Sequence, residues 1–267
     1  GSAVSFSIAK GTNISHWLSQ SDVRGEQRRA FFSRDNVREL RNLGFDHIRI
    51  PIDEEQIWDM DGKLEDEAMG LLHNGLDWCE AEGLKAIVDL HILRSHCFID
   101  NQGKNSLFTD PREAERLAQM WADLSDQLSD RPNDWVAYEL MNEAIADDHE
   151  DWNRVLLYPY RAIREREPKR TIAIGSNRWC QAQTFPALRV PENDPNLMLV
   201  LHFYNPMLIT HWKAPWSKDI RDYRGPVTYP GVPISENDWN ALEPDLQRRL
   251  QDENIWWDRD RMEAFIQ

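Results

Sequence analysis

The sequence places an amide and a carboxyl side by side at Asn142-Glu143, near the end of the run DWVAYELMNEA over residues 134–144. This run is short, nearly free of charge and rich in aromatic and branched residues, which is typical of a strand buried on both faces of a parallel sheet. A partly desolvated Glu at a strand end can hold a proton near neutral pH and donate it to a leaving oxygen. The dipeptide alone is equally typical of a helix N-terminus, where the helix dipole favours Glu.

Polar side chains also follow the other predicted strands. They are Asn13, Arg49, Asp89 and His91, Ser176 and Asn177, and His202 and Tyr204. An open doubly wound sheet concentrates its site at one switch point, whereas a closed barrel gathers residues from the C-terminal ends of many strands. The number of contributing strands therefore favours the barrel.

The elements that must position these residues repeat one unit, a short apolar strand followed by an amphipathic helix. Strands are predicted over residues 6–14, 45–51, 84–91, 135–141, 170–175 and 197–203, and helices over residues 33–43, 66–82, 111–129, 151–166 and 239–251. This alternation predicts a parallel sheet with right-handed crossovers. The expected fold is α/β, a (β/α)8 TIM barrel with about six β/α units present, in one catalytic domain over residues 1–267 that is incomplete at its C-terminus.

Composition narrows the partners and the chemistry. The formal net charge of −15 argues against nucleic acid and anionic membranes, which attract basic surfaces, and favours a neutral ligand. No G-x-G-x-x-G, Walker A, H-E-x-x-H or G-x-S-x-G motif occurs, and no run of 18 apolar residues suits a membrane span. Cys79, Cys97 and Cys180 lack C-x-x-C spacing and are interpreted as packed thiols. We expect neither a metal nor another cofactor.

Motifs along the whole chain resemble the family 5 glycoside hydrolases of the cellulase type. They are GTNISHWL at 11–18, GFDHIRIPID at 44–53, IVDLH at 87–91, YELMNEA at 138–144, IGSNRW at 174–179 and LHFYNPMLITHWKAPW at 201–216. The resemblance implies retaining double displacement with Glu143 as acid/base and Asn142 at the sugar's 2-hydroxyl. It also implies that His202 and Tyr204 position the nucleophile and that Arg49 supports it.

A further set of residues is expected to line a substrate cleft. The set comprises Asn13, His16, Trp17, His91, His96, Asn177, Trp179 and Trp212. Aromatic rings such as Trp179 and Trp212 suit the flat apolar faces of sugars. Core packing is the alternative for His16 and Trp17, and loop packing or a metal pair with His91 is the alternative for His96.

The chain departs from the family pattern after Trp216. Family members carry a nucleophilic Glu at the end of strand seven, in a G-E-F-G-like segment, and a platform Trp after strand eight, and neither segment is present in the sequence. We therefore expect a chain truncated before strands seven and eight, inactive or very weak alone. A missing C-terminal fragment or a swapped second copy is the expected partner that completes the barrel.

The expected substrate is a polysaccharide or oligosaccharide of β-1,4-linked glucose, cleaved in the manner of an endoglucanase. A β-mannanase or another β-glucanase of the same family is the first alternative, and a non-catalytic carbohydrate-binding fragment is the alternative from another class. A signal peptide could precede Gly1-Ser2 in the native protein, so we expect a secreted or periplasmic protein, with a cytoplasmic one as the alternative.

Overall fold

The computed structural model describes residues 6–99 and 105–266, and it divides the chain into two compact units, Gly1–Leu201 and His202–Gln267. The first unit holds a parallel sheet of six strands in sequential order: β1 Gly11–Asn13, β2 His47–Asp53, β3 Lys85–Ile92, β4 Val136–Glu139, β5 Ile172–Gly175 and β6 Leu197–Val200. The predicted α/β fold with six β/α-type strands is thereby confirmed. That residues 1–267 form one catalytic domain stays a prediction.

Helices connect the strands of the first unit. They are Gly25–Phe31, Arg34–Asn42, Glu54–Ile57, Asp66–Glu82, Pro111–Leu128, His149–Val155 and Leu157–Arg166, with a short left-handed turn at Asn177–Cys180 and 3-10 turns at Ser106–Phe108 and Ala182–Ala187. Two of them have well-defined ends for local reasons. The Ser33 side chain and Asn36 form a reciprocal capping box before Arg34, and Gly83 takes a left-handed φ of 80° after Glu82, where a side chain would add strain.

The strands alternate in what their two faces meet. Ile48, Ile50 and Ile52 of β2, and the equivalent residues of β3, β4 and β5, belong to the main hydrophobic core against the helices. The intervening residues face the other way, and there Ile87 and Ala137 pack with Phe6 in a smaller apolar cluster. Arg49, in register with Ile87, lies on that same inner face. Period-two alternation therefore separates a hydrocarbon layer from a polar one.

Several element boundaries differ from the sequence prediction. The first strand covers only Gly11–Asn13 of residues 6–14, and β4 ends at Glu139 rather than at residue 141. The helix predicted over 151–166 is divided at Leu156, because Pro159 has no N–H to donate to the preceding turn.

The second unit is helical and has its own core. Its helices are Met207–Thr210, Glu236–Asn240, Pro244–Leu250 and Arg259–Ile266, so the helix predicted over 239–251 is two helices. Leu208, Ile220, Tyr223, Ile234 and Leu250 form the core. Across the described residues of both units, no helix has the length and apolar character that crossing a membrane requires.

Glu253 joins the beginning of the second unit to its later part. Its carboxylate accepts hydrogen bonds from the Met207 main-chain N–H at 2.7 Å and from Asn205 Nδ2 at 3.0 Å. Trp257, four residues after Glu253, exchanges two main-chain hydrogen bonds of 2.8 and 2.9 Å with Gly231. The segment between Asn205 and Glu253 therefore starts and finishes at one place.

Candidate active site

Arg49 organises the polar residues at the carboxyl end of the sheet. Its Nε and Nη2 donate to the two carboxylate oxygens of Glu139 at 2.9 and 2.8 Å, and Nη2 lies 3.1 Å from Asp89 Oδ2. Asp89 and Glu139 are register partners on β3 and β4, so their side chains lie on one face of adjacent strands. One buried guanidinium thus bridges two buried carboxylates.

The charges in this cluster determine one another's protonation. Burial alone would lower the pKa of the Arg49 guanidinium, but the Asp89 and Glu139 carboxylates outweigh burial and raise it. Burial alone would raise the pKa of the Asp89 carboxyl, but Arg49 and then His91 outweigh it and hold that pKa below its usual range. Each group therefore stays charged because its partners are present.

Arg49 also fixes the orientation of Asn142. Its Nη2 donates to Asn142 Oδ1 at 2.9 Å, and its Nη1 donates to Asn13 Oδ1 at 3.1 Å. Because the Asn142 carbonyl oxygen faces the guanidinium, the amide NH2 is turned away from Arg49. The Asn142 side chain is therefore prepared to donate a hydrogen bond, as recognition of a sugar hydroxyl requires.

A second pair orients His91. Its Nδ1 donates to Asp89 Oδ2 across 2.5 Å, so Nε2 is the nitrogen directed away from the carboxylate. The imidazole is 7% exposed and packs edge-on against Phe98, with ring centroids 5.1 Å apart. The predicted neighbours Asn13, Arg49, His91 and Asn142 are thus connected through a single set of contacts.

Glu143 follows directly in a strained main chain. Its φ of 36° is left-handed, as are the φ angles of Arg178, Trp179 and Cys180 at 55°, 64° and 55° in the turn after β5. Each non-glycine residue in this region costs roughly 1–2 kcal/mol, so it persists only where surrounding contacts hold it. The two strained segments are joined, because the Trp179 N–H donates to the Ala144 carbonyl at 3.2 Å.

Three residues expected in the cleft are buried. Trp17 is 1% exposed, packs on Phe32 and donates from Nε1 to a main-chain carbonyl, so its ring is in the core and cannot stack on a sugar. His96 and Asn177 are 1% and 3% exposed, and their polar atoms bond main-chain groups after Glu143. His96 and Asn177 thus bond the main chain from buried positions, and their direct contact with substrate stays a prediction.

The remaining predicted residues have polar or open surroundings. His16 is exposed, with a left-handed φ of 62°, and its Nδ1 lies 3.1 Å from the Gln20 carbonyl oxygen. The half-buried Trp179 donates from Nε1 to the Phe98 carbonyl at 2.7 Å. Substrate contact by His16 and Trp179 stays a prediction.

His202, Tyr204 and Trp212 belong to the second unit. The rings of His202 and Tyr204 meet edge-on, with centroids 6.4 Å apart. Trp212 is 40% exposed, and Lys213 Nζ lies 4.1 Å from its ring centroid. That His202 and Tyr204 position the nucleophile, and that Trp212 contacts substrate, stays a prediction.

Cys180 is the residue of this region that the sequence did not single out. Burial raises the pKa of its thiol, the carboxylates of Glu139 and Glu143 raise it further, and the main-chain N–H of Glu143 opposes them by donating to the sulfur. A Cβ on Gly175 would overlap this sulfur, which explains the glycine at the end of β5. No sequence signal announced the left-handed turn, because Arg, Trp and Cys are not turn-forming residues.

The three cysteines should differ in reactivity. Cys79 and Cys180 are buried, and burial raises the pKa of Cys79 to about 12, whereas Cys97 is partly exposed. In the folded protein at pH 8 we expect an aromatic disulfide reagent to label Cys97 first, because the thiolate is the reacting species. Mass spectrometry of digested protein measures the order. Equal labelling of all three before unfolding would contradict it.

His96 makes folding depend on pH. Its Nε2 accepts from the Ile145 N–H at 3.2 Å, so the neutral ring carries its proton on Nδ1, and burial lowers its pKa from 6.5 to about 4. The unfolded chain binds this proton first as pH falls. The stabilisation is therefore complete above pH 6.5 and declines by roughly 3 kcal/mol as pH approaches 4.

Urea unfolding at pH 7 and pH 4.5 measures this effect. We expect the stability difference between the wild type and His96→Gln to narrow at the lower pH. His16→Gln, which alters an exposed histidine, is the control and should follow the wild type. An equal difference at both pH values would show that His96 does not take up the proton on unfolding.

Comparison with known proteins identifies the family of the chain. The family model for Cellulase (glycosyl hydrolase family 5) matches residues 11–255. The chain belongs to glycosyl hydrolase family 5. It is similar to Endoglucanase C of Acetivibrio thermocellus, with 30% identity over 84% of this chain and 66% of that protein, and to Cellodextrinase A of Ruminococcus flavefaciens, with 28% identity over 80% and 63%. The family 5 chain thus spans slightly less than two thirds of these relatives' length.

Solved structures show the same fold. Thermotoga maritima Cel5A, determined in complex with cellobiose, aligns with a TM-score of 0.70 and 23% identity over 97% of this chain and 75% of that one. The same enzyme in complex with mannotriose aligns with a TM-score of 0.70 and 22% identity over the same shares. The six parallel strands of the family 5 chain are therefore strands of a (β/α)8 barrel.

Proposed function

We propose that this chain carries the acid/base half of a retaining hydrolase of β-1,4-linked glucan. The observation that carries the proposal is the Arg49 cluster, which ties Asn142 to Glu139 and Asp89 directly before Glu143 in the chain. Such a network fixes a sugar-hydroxyl donor next to a proton donor. The names of the relatives, an endoglucanase and a cellodextrinase, support β-glucan as the substrate class.

In the proposed reaction Glu143 donates its proton to the glycosidic oxygen while a second carboxylate attacks the anomeric carbon. The bond between that carbon and the glycosidic oxygen breaks, and a glycosyl ester forms. Glu143, now ionised, takes a proton from water, which attacks the ester and releases the sugar with its original β configuration. We propose that Asn142 donates to the 2-hydroxyl and that His202 and Tyr204 position the attacking carboxylate.

The attacking carboxylate is proposed to lie outside the buried carboxylates at the ends of β2, β3 and β4. Asp53 accepts from Ser19 Oγ and the Gln20 N–H, both at 2.7 Å, and Glu54 accepts from the Arg94 N–H at 2.7 Å. Asp89 and Glu139 are bound by Arg49. A carboxylate so engaged is a poor nucleophile. We propose a further segment of the protein as its source, with a swapped second copy as the alternative.

An external anion tests this division of roles without any added protein. With 2,4-dinitrophenyl β-cellobioside and azide, azide attacks the anomeric carbon, the bond to dinitrophenolate breaks, and α-cellobiosyl azide forms. We expect azide or formate to raise dinitrophenolate release by this chain at least about tenfold. The reason is that this leaving group needs no proton and the added anion supplies the nucleophile. Product anomers are read by proton NMR.

Two outcomes would overturn the proposal. Hydrolysis of barley glucan at an ordinary rate, without an added anion, would show that the chain supplies its own nucleophile. Binding of cellotetraose with no product under any condition would favour the alternative of a carbohydrate-binding protein without turnover. Parallel assays with 2,4-dinitrophenyl β-mannobioside test the alternative of a β-mannanase. The mannotriose complex of Thermotoga maritima Cel5A is the reason for including this substrate.

We also propose that the protein acts outside the cytoplasm, secreted or in the periplasm, because a polymeric glucan is met there. Cell fractionation with an antibody against the native protein tests this location. Recovery in the cytoplasmic fraction alone would overturn it.

A further inference from the structure

Two buried side chains, one after β3 and one after β5, bond the main chain that follows Glu143. His96 Nε2 accepts from the Ile145 N–H at 3.2 Å. Asn177 Oδ1 accepts from the Ala146 N–H at 2.8 Å, and Asn177 Nδ2 donates to the Ala146 carbonyl at 2.9 Å. Main-chain groups of two consecutive residues after β4, Ile145 and Ala146, are therefore held by side chains.

Both side chains are themselves fixed. Asn177 Nδ2 also lies 3.0 Å from His149 Nδ1, which assigns the NH2 group to that side of the amide. His96 packs edge-on against Phe108, with ring centroids 5.5 Å apart. His96 and Asn177 are 1% and 3% exposed, so neither exchanges its partner for water. A rigid pair of side chains can hold the backbone in a conformation that an isolated loop would not keep.

The conformation imposed is a strained one. Glu143 has a φ of 36°, and the turn Arg178–Cys180 that docks beside it is left-handed throughout. The direction of the Glu143 side chain from the main chain depends on that φ and on the peptide that follows. Contacts with residues 144–146 consequently affect the position of the Glu143 carboxyl group indirectly, through the main chain.

We propose that His96 and Asn177 are positioning residues for Glu143, which they aim at the glycosidic oxygen through the main chain of residues 144–146. The inference rests on the proposed function. It goes beyond it by assigning to these two residues an effect on proton donation rather than on sugar binding. A misplaced acid loses most on substrates whose leaving group needs a proton, and little on substrates whose leaving group does not.

Four substitutions at the two sites separate positioning from stability. Asn177→Ala removes both hydrogen bonds to the Ala146 main chain. Asn177→Asp keeps an oxygen that can accept from the Ala146 N–H but loses the NH2 that donates to the Ala146 carbonyl. His96→Leu removes the acceptor, whereas His96→Gln can supply an amide oxygen to the Ile145 N–H. Val37→Ala is the control, because Val37 lies in the main core on helix Arg34–Asn42 and is 0% exposed.

The readout is the ratio of kcat for phenyl to kcat for 2,4-dinitrophenyl β-cellobioside, measured with formate. We expect Asn177→Ala and His96→Leu to lower the ratio by about 10- to 100-fold with KM changed less than about threefold, since small errors in position have costs of this size. Asn177→Asp should fall between, and His96→Gln should restore most of the ratio. Val37→Ala should lose stability and keep the ratio.

An unchanged ratio in Asn177→Ala and His96→Leu would overturn the proposal and leave both residues a purely structural role. If the wild-type protein releases neither phenol nor 2,4-dinitrophenolate from these substrates, the proposed function is overturned instead. The ¹³C resonance of the Glu143 carboxyl, assigned with Glu143→Gln, then decides the inference. A shift in Asn177→Ala that is absent in Val37→Ala supports positioning, and an unmoved resonance overturns it.

Discussion

Replacing Glu143 with Gln should lower kcat for phenyl β-cellobioside, in formate, by about 10³-fold, which is within the usual contribution of a general acid. The variant keeps the size and the hydrogen-bonding shape of the side chain but has no proton of suitable acidity. The same variant should release 2,4-dinitrophenolate within about tenfold of the wild-type rate, because that leaving group departs without protonation. Steady-state rates for the two substrates measure the contrast.

Glu150→Gln is a matched control for this experiment. Glu150 is an exposed carboxylate in helix His149–Val155, and its loss should leave both rates unchanged. If Glu143→Gln lowers both rates equally, Glu143 is not the proton donor.

Replacing Arg49 with Met should lower the free energy of unfolding at pH 7 by about 3–5 kcal/mol, the usual result of removing one partner of a buried ion pair. Arg49 is the shared partner of Asp89 and Glu139, whose side chains are 0% and 3% exposed. Without the guanidinium, the buried cluster carries an excess of negative charge from these two carboxylates. Urea unfolding at fixed pH measures the difference.

The sign of the pH dependence gives this prediction a second test. In Arg49→Met, burial without the cation favours the protonated carboxyls, so folding takes up protons and the deficit shrinks as pH falls from 7 to 5. Adding Glu139→Gln should recover part of the deficit at pH 7, because it removes one excess charge. A deficit below about 1 kcal/mol, or no recovery in the double variant, would contradict an ion cluster held by Arg49.

Local patterns predicted the scaffold closely. Helix Asp66–Glu82 has the bounds that the sequence indicated, because its apolar residues recur at helical spacing and Gly83 stops it. The order of the parallel strands followed from their alternation with helices. Register then brought Arg49, Asp89 and Asn142 together, since residues at equivalent strand ends meet at one edge of a sheet.

Exposure could not be predicted in the same way. His96 and Asn177 follow strands, as ligand-binding residues do, but both are buried and bond the main chain after Glu143. Trp17 follows β1 and is enclosed by Phe32 and helix Asp66–Glu82, where Gly75 leaves room for its ring. Whether a polar or aromatic residue at a strand end meets solvent depends on tertiary packing, which spacing along the chain does not encode.

The bonds of Glu253 give the second unit a modular character. Asn205 and Met207 at its beginning bond Glu253 near its far end, so the chain between those points is closed into a loop. Insertions or exchanges at exposed positions between these points, outside the core of Leu208, Ile220, Tyr223, Ile234 and Leu250, can alter the intervening surface while both attachment points stay joined. A segment of this kind can change at its surface while its two ends stay joined.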